Sequence, residues 1–225
     1  MDYLKVDVPK IKIIRTSRKS ISLQILRDAT IEVKAPHLIP KFLIEQFIKS
    51  HEEWIRVRQD LVLNNIKKPR EFSDGESFLY LGVEYILKIG NYTEIKIFDD
   101  KLLFPSALVF RGRDAIEKWY IRQAKKIINE QVAYYSNKMN ASYTSISFSD
   151  TKSKWGSCTH DNRLQFNWRL VMTPLLVLRY VVLHELVHTT TKNHSYAFWS
   201  KVRSVNPSYK QQIKWLKLHG NGLTI

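Results

Sequence analysis

The spacing His184-Glu185-Leu186-Val187-His188, with His194 six residues further on, constrains this chain more than any other stretch. Residues four apart share one face of a helix, so His184 and His188 can grip one metal ion together. Glu185 stands beside the first of them and can reach a water on that metal. A turn after His188 can return His194 as a third ligand. Three protein ligands with an open fourth position describe a catalytic zinc site, whereas a structural site is closed by four. The segment that must carry these groups, residues 174–188, is apolar almost all round, which predicts a buried helix. Burying two histidines and a glutamate there is costly unless a metal or hydrogen bonds satisfy them. Thr173-Pro174 supplies a helix start, an N-cap followed by Pro in the first turn. The β-branched run Thr189-Thr190-Thr191 is a poor helix continuation and predicts the turn that delivers His194.

The 225 residues suit one large domain or two small lobes sharing a core, and 44% hydrophobic residues exclude a disordered chain. One cysteine, Cys158, rules out an internal disulfide framework and a thiolate zinc site, so histidine and carboxylate must hold any metal. A reducing, cytoplasmic setting is expected. The N-terminus, Met1-Asp2-Tyr3-Leu4-Lys5-Val6-Asp7, carries charge where a signal peptide needs an apolar core. The longest apolar run is broken by Arg179, so no membrane span is expected. Net charge is +15, from 36 Lys+Arg against 21 Asp+Glu, which favours polyanions, nucleic acid first. No recognised nucleic-acid module accompanies that charge.

The pattern along the chain predicts an α+β fold, with a β-rich N-terminal lobe over residues 1–105 holding one helix, and a catalytic lobe over 106–225. Ile11, Ile13 and then Ile21, Leu23, Ile25 alternate with polar residues around a turn at 16–20. Lys10, Lys12, Arg15, Arg18 and Lys19 would share an outer face or hairpin tip on antiparallel strands there. One helix is expected from Pro40 past Val62, with Ile44, Phe47, Ile48 and Ile55 on its apolar stripe and His51 as packing. Residues 71–104 return to strands, with a hairpin around Gly82-Val83. A long helix from Asp114 to about Met139 is placed to back the metal helix. Residues 164–170 alternate as a strand, Leu164, Phe166, Trp168 and Leu170 inward, Gln165, Asn167 and Arg169 outward. As an edge strand beside the metal it could pair with an extended peptide. Asn167, Tyr196, His160 and Tyr209 are the polar candidates for stabilising an oxyanion. Cys158 reads as packing, Trp155-Gly156 as an anchor and a tight turn, and Ser195 as the cap of a following helix.

Lys154-Trp155-Gly156-Ser157-Cys158, Asn167-Trp168-Arg169-Leu170, the His184–His188 motif, and Asn193-His194-Ser195 with Phe198-Trp199 together resemble the YgjP-like metallopeptidase family. Asp74-Gly75-Glu76 and Tyr80-Leu81-Gly82 are similar to it as well, so the likeness covers nearly the whole chain, 1–225, as one metallopeptidase domain. These are zincin-type hydrolases similar to the SprT-like proteases. The resemblance implies a zincin-like catalytic lobe whose motif helix lies beside a small sheet. It also implies zinc on His184, His188 and His194, with Glu185 as the catalytic acid/base. The metzincin pattern wants glycine three residues after the second histidine; Thr191 stands there, so metzincin turn geometry is not expected. The function expected is a zinc metallopeptidase that hydrolyses protein or peptide bonds through a metal-activated water, with Glu185 as general base. A basic nucleic-acid-associated protein with a structural or vestigial metal site is the competing expectation. A protease acting on DNA-bound proteins combines the two, and a zinc hydrolase of non-peptide amides is a third.

Overall fold

The computed structural model of the chain describes residues 11–26, 28–65, 70–151 and 153–225. The charged N-terminus and Lys10 lie outside them. The described residues form a mixed α+β structure with six α-helices and three small sheets. They pack as two compact units, Met1–Pro69 and Arg70–Ile225, so the division falls at residue 69 and not after residue 105 as the pattern predicts. The physical reason is a shared core. Phe78, Leu87, Leu102 and Phe104 are buried in one cluster with Ile116, Trp119, Ile128 and Leu183, whereas Ile31, Val33, Ala35, Ile44 and Ile55 form another.

In the first unit, β1 (Ile11–Thr16), β2 (Ser22–Ile25) and β3 (Ile31–Pro36) precede α1 (Lys41–Ser50) and α2 (Glu52–Asn65). β3 is central, with β1 parallel and β2 antiparallel to it, so β1 and β2 do not make the predicted hairpin. The central place suits β3, whose Ile31, Val33 and Ala35 are all buried, while Ile11 and Ile13 of β1 are exposed. Of the basic cluster, Arg15 is structural: its guanidinium donates to the carbonyls of Pro36 (2.8 Å) and Ile39 (2.5 Å). The predicted single helix is broken at His51. There the ring sits 4.3 Å from that of Phe47, and Nδ1 lies 2.8 Å from the Phe47 carbonyl oxygen. That histidine is packing, as its place on the stripe predicts.

The second unit opens with β4 (Ser77–Tyr80), β5 (Val83–Gly90), β6 (Lys96–Phe98) and β7 (Lys101–Pro105), ordered β4-β5-β7-β6. α3 (Gly112–Met139) follows, then β8 (Ser145–Ser149), β9 (Gly156–Cys158), β10 (Arg163–Asn167), α4 (Leu175–Val187), α5 (Tyr196–Val205) and α6 (Tyr209–His219). β10 is the centre of its sheet, parallel to β8 and antiparallel to β9. It therefore has no free edge, and the expectation that it pairs with a peptide is corrected. The alternation also stops early. Trp168–Met172 is a turn of 3₁₀ helix that buries Trp168, Leu170, Val171 and Met172 together, and Asn167 faces in with 4% exposure.

Two contacts set α4 in place at its start. Leu81 and Gly82 join β4 to β5 at positive φ, 49° and 81°, the two-residue turn whose twist matches the strands it joins. This turn lies one residue earlier than predicted. Leu81 N–H donates to the Val171 carbonyl at 2.7 Å, and a Cβ on Gly82 would stand 2.8 Å from Pro174. Only glycine supplies both that conformation and that clearance. Thr173 does not cap α4 as predicted; its hydroxyl donates to the Leu170 carbonyl (2.8 Å) and closes the preceding turn. α3 and the 3₁₀ turn pack along α4, which fully buries Leu178, Val182, Leu183, Leu186 and Val187. Each such side chain contributes about 1.5–3 kcal/mol, against roughly 1–3 kcal/mol to bury one uncompensated polar group. The apolar majority of α4 thus carries its polar end into the core. No helix among the described residues is long and apolar enough to cross a membrane.

Candidate metal centre

α4 ends where the polar groups gather. His184 and Glu185 lie in its last turn, and His188 caps it at φ −64° and ψ −18°. The N–H groups of Thr189, Thr190 and Thr191 bond back to the carbonyls of Leu186 and Val187, and the Thr189 and Thr190 hydroxyls donate to the same two carbonyls. These bonds satisfy the orphan acceptors of the helix end and stop the helix. The chain then turns, and His194 Nε2 comes to 3.0 Å from His184 Nε2 and 3.2 Å from His188 Nε2. α5 holds this third ring. Ser195 occupies its cap position without a side-chain bond. Buried Phe198 lies 4.5–4.8 Å from all three imidazoles, and Trp199 stacks on His194 at 5.6 Å.

Among the described residues His184, His188 and His194 form a group able to hold a metal ion, with ligand atoms within 4.8 Å of one another. A tetrahedral ion with bonds of about 2.0–2.1 Å sets its nitrogens roughly 3.3–3.4 Å apart, close to the spacing found here. Protonation fits too. Burial and the two neighbouring imidazoles push His184 down to about 3, and burial lowers His188, so both rings are neutral. His188 Nδ1–H donates to the Thr191 carbonyl at 3.1 Å, which leaves Nε2 bare toward the cluster. Bonding among the rings themselves would need an Nε2–H tautomer, and for His188 that forfeits the Thr191 bond. Three imidazoles without a thiolate are a donor set that suits zinc.

His184 has its own partner one turn back. Its Nδ1 lies 3.3 Å from the hydroxyl oxygen of Tyr180, a buried residue that sequence reading passed over although its place four residues before His184 puts it on the same face. With Nε2 free for a metal, Nδ1–H is the donor to that oxygen. Tyr180→Phe, which removes only the hydroxyl, is expected to weaken zinc binding about 10–100-fold. Competition against a chromophoric chelator measures it, and an unchanged affinity would mean the hydroxyl does not orient His184.

Glu185 is 6% exposed, and burial pushes its carboxyl up to about 8 against the opposing pull of Lys154. Gly156 makes its room: a Cβ there would stand 2.7 Å from both Cγ and Oε1 of Glu185. The sequence pattern predicts a tight turn at this glycine. It lies instead in β9, and what it supplies is space.

The remaining polar candidates separate clearly. Asn167 is held at both ends, donating through Nδ2 to the Thr151 carbonyl (2.7 Å) and accepting from Arg169 N–H (2.9 Å). Tyr209 is buried with its ring stacked 5.2 Å from Trp199, and His160 sits in the exposed turn between β9 and β10. Tyr196 opens α5 two residues from His194 and is 84% exposed. Cys158 packs against the core with a thiol pushed up by burial, the state of an inert cysteine. In comparisons with known proteins, the family model described as YgjP-like, metallopeptidase domain, matches residues 19–219. No curated protein and no solved structure matches.

Proposed function

This chain belongs to the YgjP-like metallopeptidase family, and from that premise we propose that it is a zinc-dependent peptidase with its ion on His184, His188 and His194 and its general base in Glu185. The observation that carries this reading is the convergence of three Nε2 atoms beside a buried carboxyl on one helix end. When bound, zinc supplies Lewis acidity toward a peptide carbonyl and makes water more acidic. Glu185 accepts the proton of the attacking water and passes it to the leaving amine nitrogen as the C–N bond breaks. Burial holds its carboxyl near neutrality, where one group can both take and return a proton, and a cation alongside pulls it toward the base form. Tyr196 is our candidate for the donor to the developing oxyanion, from its exposed position at the head of α5. An extended substrate would pair with the outer edge of β9, the end strand of its sheet, which packs against α4. The single thiol of Cys158 fits a reducing, cytoplasmic setting.

The reading is tested by metal and turnover together. The purified protein should carry one zinc per chain and cleave an unfolded protein. Dipicolinate should remove both metal and cleavage, and added zinc should restore both. Full cleavage by the metal-free protein would overturn it.

A further inference from the structure

The charges of the second unit are segregated. Residues 71–100 hold seven Asp and Glu against two lysines, Lys88 and Lys96. After Glu185 no acidic residue occurs as far as residue 225, while Lys192, Lys201, Arg203, Lys210, Lys214 and Lys217 do. That stretch is the turn after α4 together with α5 and α6, the side of the site that carries His194.

Three lysines, each from a different segment, can be tied to the centre. Lys154, just before β9, acts electrostatically on Glu185. Lys192 Nζ donates to the Thr159 carbonyl (2.8 Å) and to Asn162 Oδ1 (2.5 Å), 3.8 Å from Cys158 Sγ. Lys201 donates to the hydroxyls of Thr190 (3.0 Å) and Thr191 (3.1 Å), on the turn whose carbonyl holds His188. None of the three is in an ion pair among the described residues. Asp150 and Asp161, on the neighbouring strand ends, are paired with Arg169 and Arg163.

We propose that this group of lysines selects acidic polypeptides, so that the preferred substrate carries Asp or Glu flanking the bond placed at the histidine centre. The proposal rests on the peptidase reading above and adds its substrate class. On the peptidase reading, the polyanion that these ammonium groups meet at the centre is a polypeptide with carboxylates along it. Arg203 does not join the group, since two residues along α5 turn it about 200° away from Lys201. Ammonium groups outside any ion pair raise the local concentration of negative segments and speed their encounter with the site.

The test reads binding apart from cleavage. Fluorescent peptides with one common core and Glu, Gln or Lys flanks are titrated by anisotropy into zinc-loaded Glu185→Gln protein. At low salt the Glu-flanked peptide should bind about tenfold tighter than the Gln-flanked one, with the Lys-flanked peptide weakest. The order should flatten as salt shortens the screening length below about 10 Å. Lys154→Gln and Lys201→Gln should each weaken the Glu-flanked peptide about three- to tenfold more than the Gln-flanked one. Lys96→Glu, on β6 among the acidic residues, should change neither. Equal binding of all three peptides overturns the proposal. A DNA oligonucleotide that binds through these lysines while the peptides show no order also overturns it, and makes the surface one for nucleic acid. Wild-type cleavage of the same peptides is scored separately: charge-ordered binding without cleavage upholds the selective surface and sinks the peptidase reading.

Discussion

Glu185→Gln is expected to keep one zinc per chain and to lose peptide hydrolysis by about 10²–10⁴-fold. The amide matches the carboxyl in size, so the three imidazoles and the core of α4 are undisturbed, but it cannot take a proton from water. The same change should act in the opposite direction on the stability of the metal-free protein. The Glu185 carboxyl lies at about 8 in the fold, above its ordinary 4.5, so the folded chain holds a proton that the unfolded chain releases. Its effect is to lower stability as pH rises from 4.5 to 8. His184, pushed from 6.5 down to about 3, runs the other way: the unfolded chain binds the extra proton, and stability rises with pH until 6.5. Above pH 6.5 the carboxyl acts alone. Metal-free wild type should therefore lose on the order of 2 kcal/mol between pH 6.5 and 8, and metal-free Glu185→Gln should not. Melts of both proteins in chelator at the two pH values check this. Parallel curves would mean that Glu185 is ionised in the fold and that the low-dielectric setting is wrong.

Gly156→Ala should cut turnover about 100-fold while zinc content stays at one per chain. The added methyl group would fall 2.7 Å from Cγ and Oε1 of Glu185, closer than carbon atoms approach without something moving. Retreat of the strand is opposed by its pairing with β10, in which Gly156 faces Phe166, a residue fully buried in the core. Retreat of α4 is opposed by the packing of Leu183 and Leu186. The carboxyl is left to swing, and a base displaced by about an ångström no longer lines up with its water. The informative readout is kcat with metal content. Wild-type kcat would show that β9 gives way and that the glycine is there for the strand, not for the base.

These two residues mark where sequence reading works and where it stops. The metal helix is legible because helical periodicity is local: His184 and His188 share a face whatever surrounds them, and an apolar stretch on all sides predicts burial. The turn after it is legible because β-branched residues resist helix extension. What Gly156 touches is not legible, since a glycine carries no side chain and the contact spans the distance from β9 to α4. Tyr180 was within reach through its four-residue offset from His184, but a tyrosine on an apolar helix reads as core. Asn167 misleads because alternation continues on paper through Leu170, while in space the chain bends into a 3₁₀ turn that the Asn167 side chain itself caps. The division at residue 69 is hidden for a similar reason. Pro105 and Gly112 look like punctuation, yet nothing in the alternation of Phe78, Leu87 and Phe104 says which core they fill.

The touch between the β4–β5 turn and the residues ahead of α4 has a kinetic consequence. Leu81 and Val171 are joined by a hydrogen bond, and Gly82 rests on Pro174, across some ninety positions of chain. Closing so long a loop costs conformational entropy before any contact repays it, and folds dominated by such closures form slowly. During synthesis the hairpin leaves the ribosome well before the helix that it braces, and His194 follows later still. The three imidazoles can meet only after both ends of that loop have been made, so a partly synthesised chain carries no assembled histidine cluster.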